Sequence, residues 1–426
     1  MIYNIEYKIT RKEFSGFEEL PGLLEKRFGF QLLRWFIAEI TDKEVSVELT
    51  LSEKESYPFP TEHVTSYYPG KSAVVSIIPT GIGCAIGGYA ADAAPVTSLL
   101  ASCTDFLITN PNAVNASNFI HIDKNVLYTE GFMIDQFCKG VINLYQPFAN
   151  KVGLIVEKAD KQELEVIFNI VNTVRAVYGV DLETVVITEE PVGGTCFIHK
   201  SGSYAGKLEN TRVLFAACEQ LLAKGVNAIA ITTNIKDLPV ENYARHFEGL
   251  HPNPVGGAEA IISHLIGAKY HVPAAHAPLS NLKEMGLKTN VVDARGAGEF
   301  ASASGLACIL IGLARAPQVT PKPDCRVQDV LNIHNLTAIV APASALGGIP
   351  MLYAHKYKIP VIAVKDNHTI LDVTREKINL PHILEVANYA EAAGILQTLR
   401  NGISLRSIYR PLDTLRFPGH ELEKLK

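Results

Sequence analysis

The sequence predicts the α/β class, built on mostly parallel sheets covered by helices on both faces. Two observations predict it. Continuous apolar runs rich in β-branched residues recur at 74–78, 106–109, 152–156, 185–188, 228–232, 307–313, 338–340 and 361–364. A run without alternation suits a strand buried on both faces. Between several of these runs lie segments with helical spacing, at 91–102, 162–178, 212–223, 258–266 and 346–356. Strand, helix, strand in repeated order is the pattern of doubly wound, Rossmann-like sheets.

In chain order, residues 1–60 read as a small α+β unit. Residues 2–9 alternate as a strand, 17–28 carry helical spacing, and 34–40 and 44–51 form two strands joined at Thr41-Asp42-Lys43. That is β-α-β-β. Residues 56–70, rich in Pro, Tyr, Ser and Thr, read as a linker. The first Rossmann-like lobe is expected over 72–200 and the second over 210–380. The stretch 195–210, with Ser201-Gly202-Ser203 and Gly206, interrupts the alternation and suggests their boundary. Residues 381–426 read as a helix over 384–400 and a tail containing Pro and Arg.

At 426 residues the chain exceeds one ordinary core. Hydrophobic residues at 47% and charged residues at 19% are globular proportions, not disordered ones. A net charge of −5 argues against a nucleic-acid or polybasic membrane partner. The seven cysteines include no Cys-x-x-Cys pair, which suits reduced thiols. The N-terminus lacks a basic segment followed by an apolar core, and no apolar run has the length of a membrane span. The expectation is a soluble, cytoplasmic protein acting on a small anionic metabolite, with self-association left open.

The ligand should sit where strands end. Five apolar stretches leave through proline, at Asn110-Pro111, Glu190-Pro191, Ala277-Pro278, Ala316-Pro317 and Ala341-Pro342. In a parallel sheet such exits share the carboxyl edge, where α/β ligands bind. The polar residues there are Thr80, Asn110, Asn112, Asn115, Glu189, Glu190, Asn234, His276, Arg315, Ser344, Asp366 and Asn367. Any one of them could instead close a turn or cap a helix. Glycine pairs stand at 87–88, 193–194, 256–257 and 347–348. Bare amides at Gly81, Gly83, Gly87, Gly88, Gly256 and Gly257 would hold a carboxylate or phosphate. The competing reading is close helix–strand packing. Glu259 falls in the first turn of the helix that follows Gly257, where the dipole also favours a carboxylate. Glu189 or Glu190 would pair with His276 as acid and base.

Other motifs are weaker. Gly81-Ile-Gly83-Cys-Ala-Ile-Gly87 is a loose dinucleotide loop, but Asn110-Pro111-Asn112 stands where a ribose-binding acid belongs. His246 and His251 are five apart, not four as in zincins, so no metal site is assigned. Cys84 and Cys196 flank glycine turns and could be nucleophiles if their pKa were lowered. Glu130 and Asp135 flank a Gly131 turn that could face the same cleft. Asp293-Ala-Arg295-Gly-Ala-Gly298-Glu299, followed by Ser302 and Ser304, reads as a charged helix entry of open function.

These segments resemble one family. They are Ile78-Pro-Thr-Gly-Ile-Gly83, Ile86-Gly-Gly88, Leu107-Ile-Thr-Asn-Pro-Asn112, Asn125-Val-Leu-Tyr-Thr-Glu-Gly131 and Thr188-Glu-Glu-Pro-Val-Gly193. In the second half they are Pro254-Val-Gly-Gly-Ala-Glu-Ala-Ile-Ile-Ser-His264, Ala275-His-Ala-Pro278 and Gly312-Leu-Ala-Arg-Ala-Pro317. They are similar to the domain-of-unknown-function family number 3326, found in cyanobacteria and plants, over about residues 72–370. The resemblance implies no activity, and it argues against roles for Cys84 and Cys196. The expected function is therefore a lyase, isomerase or hydrolase step on a carboxylate- or phosphate-bearing substrate between two lobes. The alternatives are a non-catalytic ligand sensor or scaffold and an NAD(P)-dependent oxidoreductase. The cofactor is unassigned.

Overall fold

The computed structural model describes residues 2–52, 70–118, 123–236, 240–279, 292–301, 305–319 and 327–415. Most of the expected linker, Ser302, Ser304 and the last part of the tail lie outside these residues. The N-terminal β-α-β-β pattern folds as its alternation predicts. Strand Ile2–Thr10 pairs antiparallel with Glu44–Ser52 along its whole length, and Glu44–Ser52 forms a hairpin with Leu32–Ile40. Helix Leu20–Phe28 covers one face with Leu20 and Leu24. The sheet does not stop at residue 52. Tyr204–Leu208 pairs beside Ile2, and Gly194–Ile198 and Ile235–Lys236 extend it to six strands. The stretch that interrupts the alternation near 200 is thus a hairpin of the N-terminal sheet.

The continuous apolar runs form two parallel sheets. The larger has six strands in the order Val126–Tyr128, Phe106–Thr109, Ala73–Ser76, Leu336–Pro342, Val361–Val364, Ile383–Val386. Numbered along the chain within that sheet, the order is 3-2-1-4-5-6, the order of dinucleotide-type α/β folds. The smaller has four, in the order Ala274–Pro278, Ala228–Thr233, Val152–Val156, Thr184–Ile187. It is inserted between the third and fourth strands of the larger. Both sheets therefore draw strands from either side of residues 195–215. The entry and exit of the insertion lie together: Leu144–Pro147 pairs antiparallel with Val327–Leu331. Asn150 locks this neck, donating to the carbonyls of Leu313 and Ala316 and accepting from the Gln318 amide, each at 2.8 Å.

Two elements differ from expectation. Residues 307–313 are not a strand but the helix Leu306–Leu313, all of whose residues are buried. It packs into the core that both parallel sheets share, with Val74 and Leu107 of one and Leu154 and Ala230 of the other. A helix apolar on every side has no stripe, so its pattern matches a buried strand. Residues 384–400 are not one helix. They are strand Ile383–Val386 and helix Tyr389–Arg400, divided at Asn388, whose side chain caps the helix through the Glu391 amide.

Candidate functional site

In the six-stranded sheet the chain reverses its winding between Ala73–Ser76 and Leu336–Pro342. The loops leaving these two strands diverge and open a cleft, the topological switch point. A cavity of about 200 Å³ lies there, lined by Ile77, Ile78, Pro79 and Thr80 from one loop and Ala345, Gly347 and Gly348 from the other. Its remaining walls come from every layer. Arg34, Trp35 and Phe36 come from strand Leu32–Ile40, and Asn110, Asn112 and Asn115 from the next strand exit. Gly131 and Asp135 lie on helix Gly131–Cys138. Gly256, Glu259, Ser263 and His264 lie on helix Gly256–Tyr270, and His276 lies on the four-stranded sheet.

The cavity gathers Thr80, Asn110, Asn112, Asn115 and His276 of the strand-exit candidates and Gly256 and Glu259 of the helix start, but several roles change. Asn110 clamps the first loop, accepting from the Ile78 amide at 3.0 Å and donating to the Ile78 carbonyl at 2.7 Å. Asn112 donates to the Gly87 carbonyl. The glycine loop is occupied by its own protein. Gly87 and Tyr89 amides donate to Asp92, the Ile86 amide to Asn367, and the Ala90 amide to Glu299. Gly81, at φ +77°, accepts from the Tyr204 amide, and a Cβ there would stand 2.8 Å from the Tyr204 carbonyl oxygen. Gly83 packs on Pro252, and a Cβ on Gly88 would overlap the Cys84 carbonyl. At the helix start, a Cβ on Gly256 would overlap Thr80 Oγ1, and one on Gly257 the Tyr204 carbonyl. Close packing accounts for these glycines.

Glu189 and Glu190 are not at the cavity. They are exposed beyond Thr184–Ile187, the edge strand of the smaller sheet, where Glu190 accepts from the Asn210 amide at 3.2 Å. That strand lies at the opposite edge of the smaller sheet from Ala274–Pro278, which carries His276 to the cavity. The carboxylate buried there is Glu157, which accepts from the backbone amides of Val192 and Asn234. Asn367 is also structural, bonding the amide and carbonyl of Ile86 and the Tyr389 hydroxyl.

The acid/base candidate that remains is Glu259 with His276. His276 Nδ1 lies 3.3 Å from Glu259 Oε1, and Nε2 lies 2.9 Å from Thr233 Oγ1. A carboxylate only accepts, so the neutral ring carries its proton on Nδ1 and its Nε2 lone pair takes the Thr233 hydroxyl. His276 is thereby fully engaged. Glu259 has no second protein donor on Oε2 among the described residues. A second pair lies opposite. Glu130 caps helix Gly131–Cys138 through the Phe132 amide and faces His264 Nδ1 in a buried contact. Burial pushes Asp135 up to about 7, against the pull of His264, Lys139 and Arg34.

Arg34 was not legible as a site residue. Its guanidinium rests over the Phe36 ring at 5.5 Å and makes no ion pair among the described residues. Burial pulls its pKa below the ordinary arginine value, opposed by Asp135, Glu48 and Glu130. Its one sequence signal is a cation within the apolar strand Leu32-Leu-Arg-Trp-Phe-Ile. Trp35 beside it is buried, and its indole N–H has no hydrogen-bond partner.

The remaining candidates lose their chemistry. Burial pushes the Cys84 thiol up and that of Cys196 up to about 12, so neither is a ready thiolate. His246 stacks on Tyr89 with centroids 4.4 Å apart, and its Nδ1 bonds the His251 carbonyl at 3.0 Å. Among the described residues, no group of three or more His, Cys, Asp or Glu could hold a metal ion.

Fold and cavity define an α/β protein with a charged switch-point pocket. The chain belongs to the family described as a protein of unknown function, DUF3326, whose model matches residues 73–409. The resemblance read from the motifs is therefore correct, and it extends into the C-terminal helices. Arg34 lies outside the matched span. A protein named as an uncharacterized lipoprotein from Synechococcus sp. (strain ATCC 27144 / PCC 6301 / SAUG 1402/1) is 32% identical over 355 residues, covering 82% of this chain and 97% of that protein. No solved structure matches this chain. Among the described residues no helix is long and apolar enough to cross a membrane.

Proposed function

We propose that this protein is a small-molecule enzyme of lyase, isomerase or hydrolase type, with its active site at the switch-point cavity. In this reading the two parallel sheets are Rossmann-like lobes, the smaller inserted into the larger. Arg34 anchors a carboxylate or phosphate of the substrate, replacing the glycine amides. Glu259 accepts a proton from the bound substrate and returns it, while His276 and Thr233 hold its carboxylate in place. The observation that carries the reading is the line Glu259–His276–Thr233, which ends in an oxygen without a protein donor at the wall of a switch-point cavity. The oxidoreductase reading is weaker: the Ile86 and Gly87 amides of the glycine loop are already bonded, and about 200 Å³ is small for a dinucleotide. A sensor would use the same cavity without turnover.

A thermal-shift screen of small carboxylates and phosphates provides the test, because a native-state ligand raises the unfolding temperature. Arg34→Gln should weaken the best ligand about 10- to 100-fold, the scale of a lost charge-assisted hydrogen bond. Glu259→Gln should lose conversion of that ligand, followed by mass spectrometry. A ligand bound with unchanged affinity by both variants would refute the site. A ligand left intact by the wild-type protein would favour the sensor. A cytoplasmic setting is part of the proposal, and the relative's lipoprotein name makes cell fractionation its direct check.

A further inference from the structure

The charges lining the cavity narrow its ligand. Among the described residues Arg34 is the one Lys or Arg side chain in the lining, against the carboxylates of Glu130, Asp135 and Glu259. Glu130 accepts from the Phe132 amide through Oε2, and its Oε1 lies against the His264 ring. Among the described residues, Asp135 and Glu259 are left lining the cavity without a cationic side chain in an ion pair, and Glu259 Oε2 without a protein donor. A phosphate dianion would gain one guanidinium and meet acidic walls, a poor balance where water is scarce. A simple carboxylate would satisfy Arg34 and leave Asp135 and Glu259 without a counter-charge. Beside the neutral polar side chains of Thr80, Asn110, Asn112, Asn115 and Ser263, the lining has an apolar part made by Phe36, Ile82, Ile134, Met351 and Leu371.

We propose that the cavity takes a zwitterion: a carboxylate that pairs with Arg34, a protonated amine that pairs with Glu259 and Asp135, and an apolar remainder against the isoleucine and phenylalanine wall. An α-amino acid with an aliphatic or aromatic side chain is the simplest molecule of this class, and about 200 Å³ is its scale. The inference rests on the acid/base reading above and specifies its substrate. It also gives the acidic wall a task, since Glu259 then holds the ammonium whose neighbouring C–H or N–H is the proton it can take.

The chain has a single tryptophan, and it lines the cavity, so intrinsic fluorescence reports occupancy directly. The full-length protein is titrated with L-leucine, L-methionine and L-phenylalanine. The controls are 4-methylpentanoate, which lacks the amine of leucine, 3-methylbutylamine, which lacks its carboxylate, and inorganic phosphate. At least one amino acid should give a saturable change, with both truncated analogues at least 10-fold weaker. Arg34→Gln should weaken the amino acid and 4-methylpentanoate alike. Glu259→Gln and, independently, Asp135→Asn should weaken the amino acid and spare 4-methylpentanoate. Far-UV circular dichroism establishes that each variant folds. If 4-methylpentanoate or phosphate binds as tightly as the amino acids and depends on Arg34, the zwitterion is overturned and the acid/base site stands. If none of the probes gives a change that depends on Arg34 or Glu259, both fall.

Discussion

Asp135 is the residue whose ionisation the fold opposes most plainly. Its carboxyl stands at about 7, against an ordinary value of 3.8, chiefly because burial disfavours the charged form. Between those values the native protein holds a proton that the unfolded chain has released. The unfolding free energy therefore falls as pH rises from about 4 to about 7, and levels off above. Asp135→Asn removes the titrating group and should flatten this dependence. At pH 8 the variant should be the more stable protein, by on the order of 1 kcal/mol. Urea unfolding at pH 5, 6, 7 and 8 measures it, and parallel profiles for the two proteins would show that Asp135 ionises freely.

At the level of single elements, the start of helix Gly256–Tyr270 sets how closely two layers approach. It packs on strand Tyr204–Leu208, where a Cβ on Gly206 would overlap Ala258 and one on Gly257 would overlap the Tyr204 carbonyl. These obstacles are backbone, so they cannot swing aside. Gly257→Ala should destabilise by about 1–3 kcal/mol. Gly394→Ala, in helix Tyr389–Arg400 with nothing within 4 Å, should instead stabilise by about 0.5–1 kcal/mol. Denaturant midpoints of the two variants should move in opposite directions, and a shift of both the same way would remove the packing argument. The same elements mark how far the sequence could be read. Strands with unbroken apolar runs, such as Val361–Val364, were plain, and so were the proline-stopped strand exits that mark Asn110 and His276. The helix Leu306–Leu313 was hidden because burial on every side erases periodicity. The hairpin around Ser201 was hidden because short strands carry too few residues to alternate, and their partner lies about 200 positions earlier in the chain. Arg34 was missed because its importance comes from another distant contact, of strand Leu32–Ile40 with the loop at Gly347. Glu189 was overvalued because strand ends do not reveal strand order, which puts its strand at the far edge of the smaller sheet from His276.

On the scale of the whole molecule, the N-terminal unit completes the fold around the cavity and is not an appendage. Its Leu20, Leu24, Ile37, Val47 and Leu49 share one apolar core with Val75, Ile108 and Ile339 of the six-stranded sheet and with Phe137 and Met351 of the helices covering it. The Ile37 amide donates to the Gly347 carbonyl at 3.1 Å, and a Cβ on Gly347 would stand 2.6 Å from that of Ile37. Glu25 bridges the covering helices, accepting from Lys139 at 2.9 Å and from the Tyr353 hydroxyl at 3.1 Å. Each fully buried aliphatic side chain contributes about 1.5–3 kcal/mol. Losing this set reaches the whole net stability of a typical domain, about 5–15 kcal/mol. A chain beginning at residue 61 should therefore fail to unfold cooperatively in urea, as followed by far-UV circular dichroism, and should expose apolar surface to a hydrophobic dye. It should also bind no ligand at the switch point, having lost Arg34. A truncated chain with a sharp transition near the full-length midpoint would mean that residues 73–409 fold alone, and the cavity would then have to work without its guanidinium.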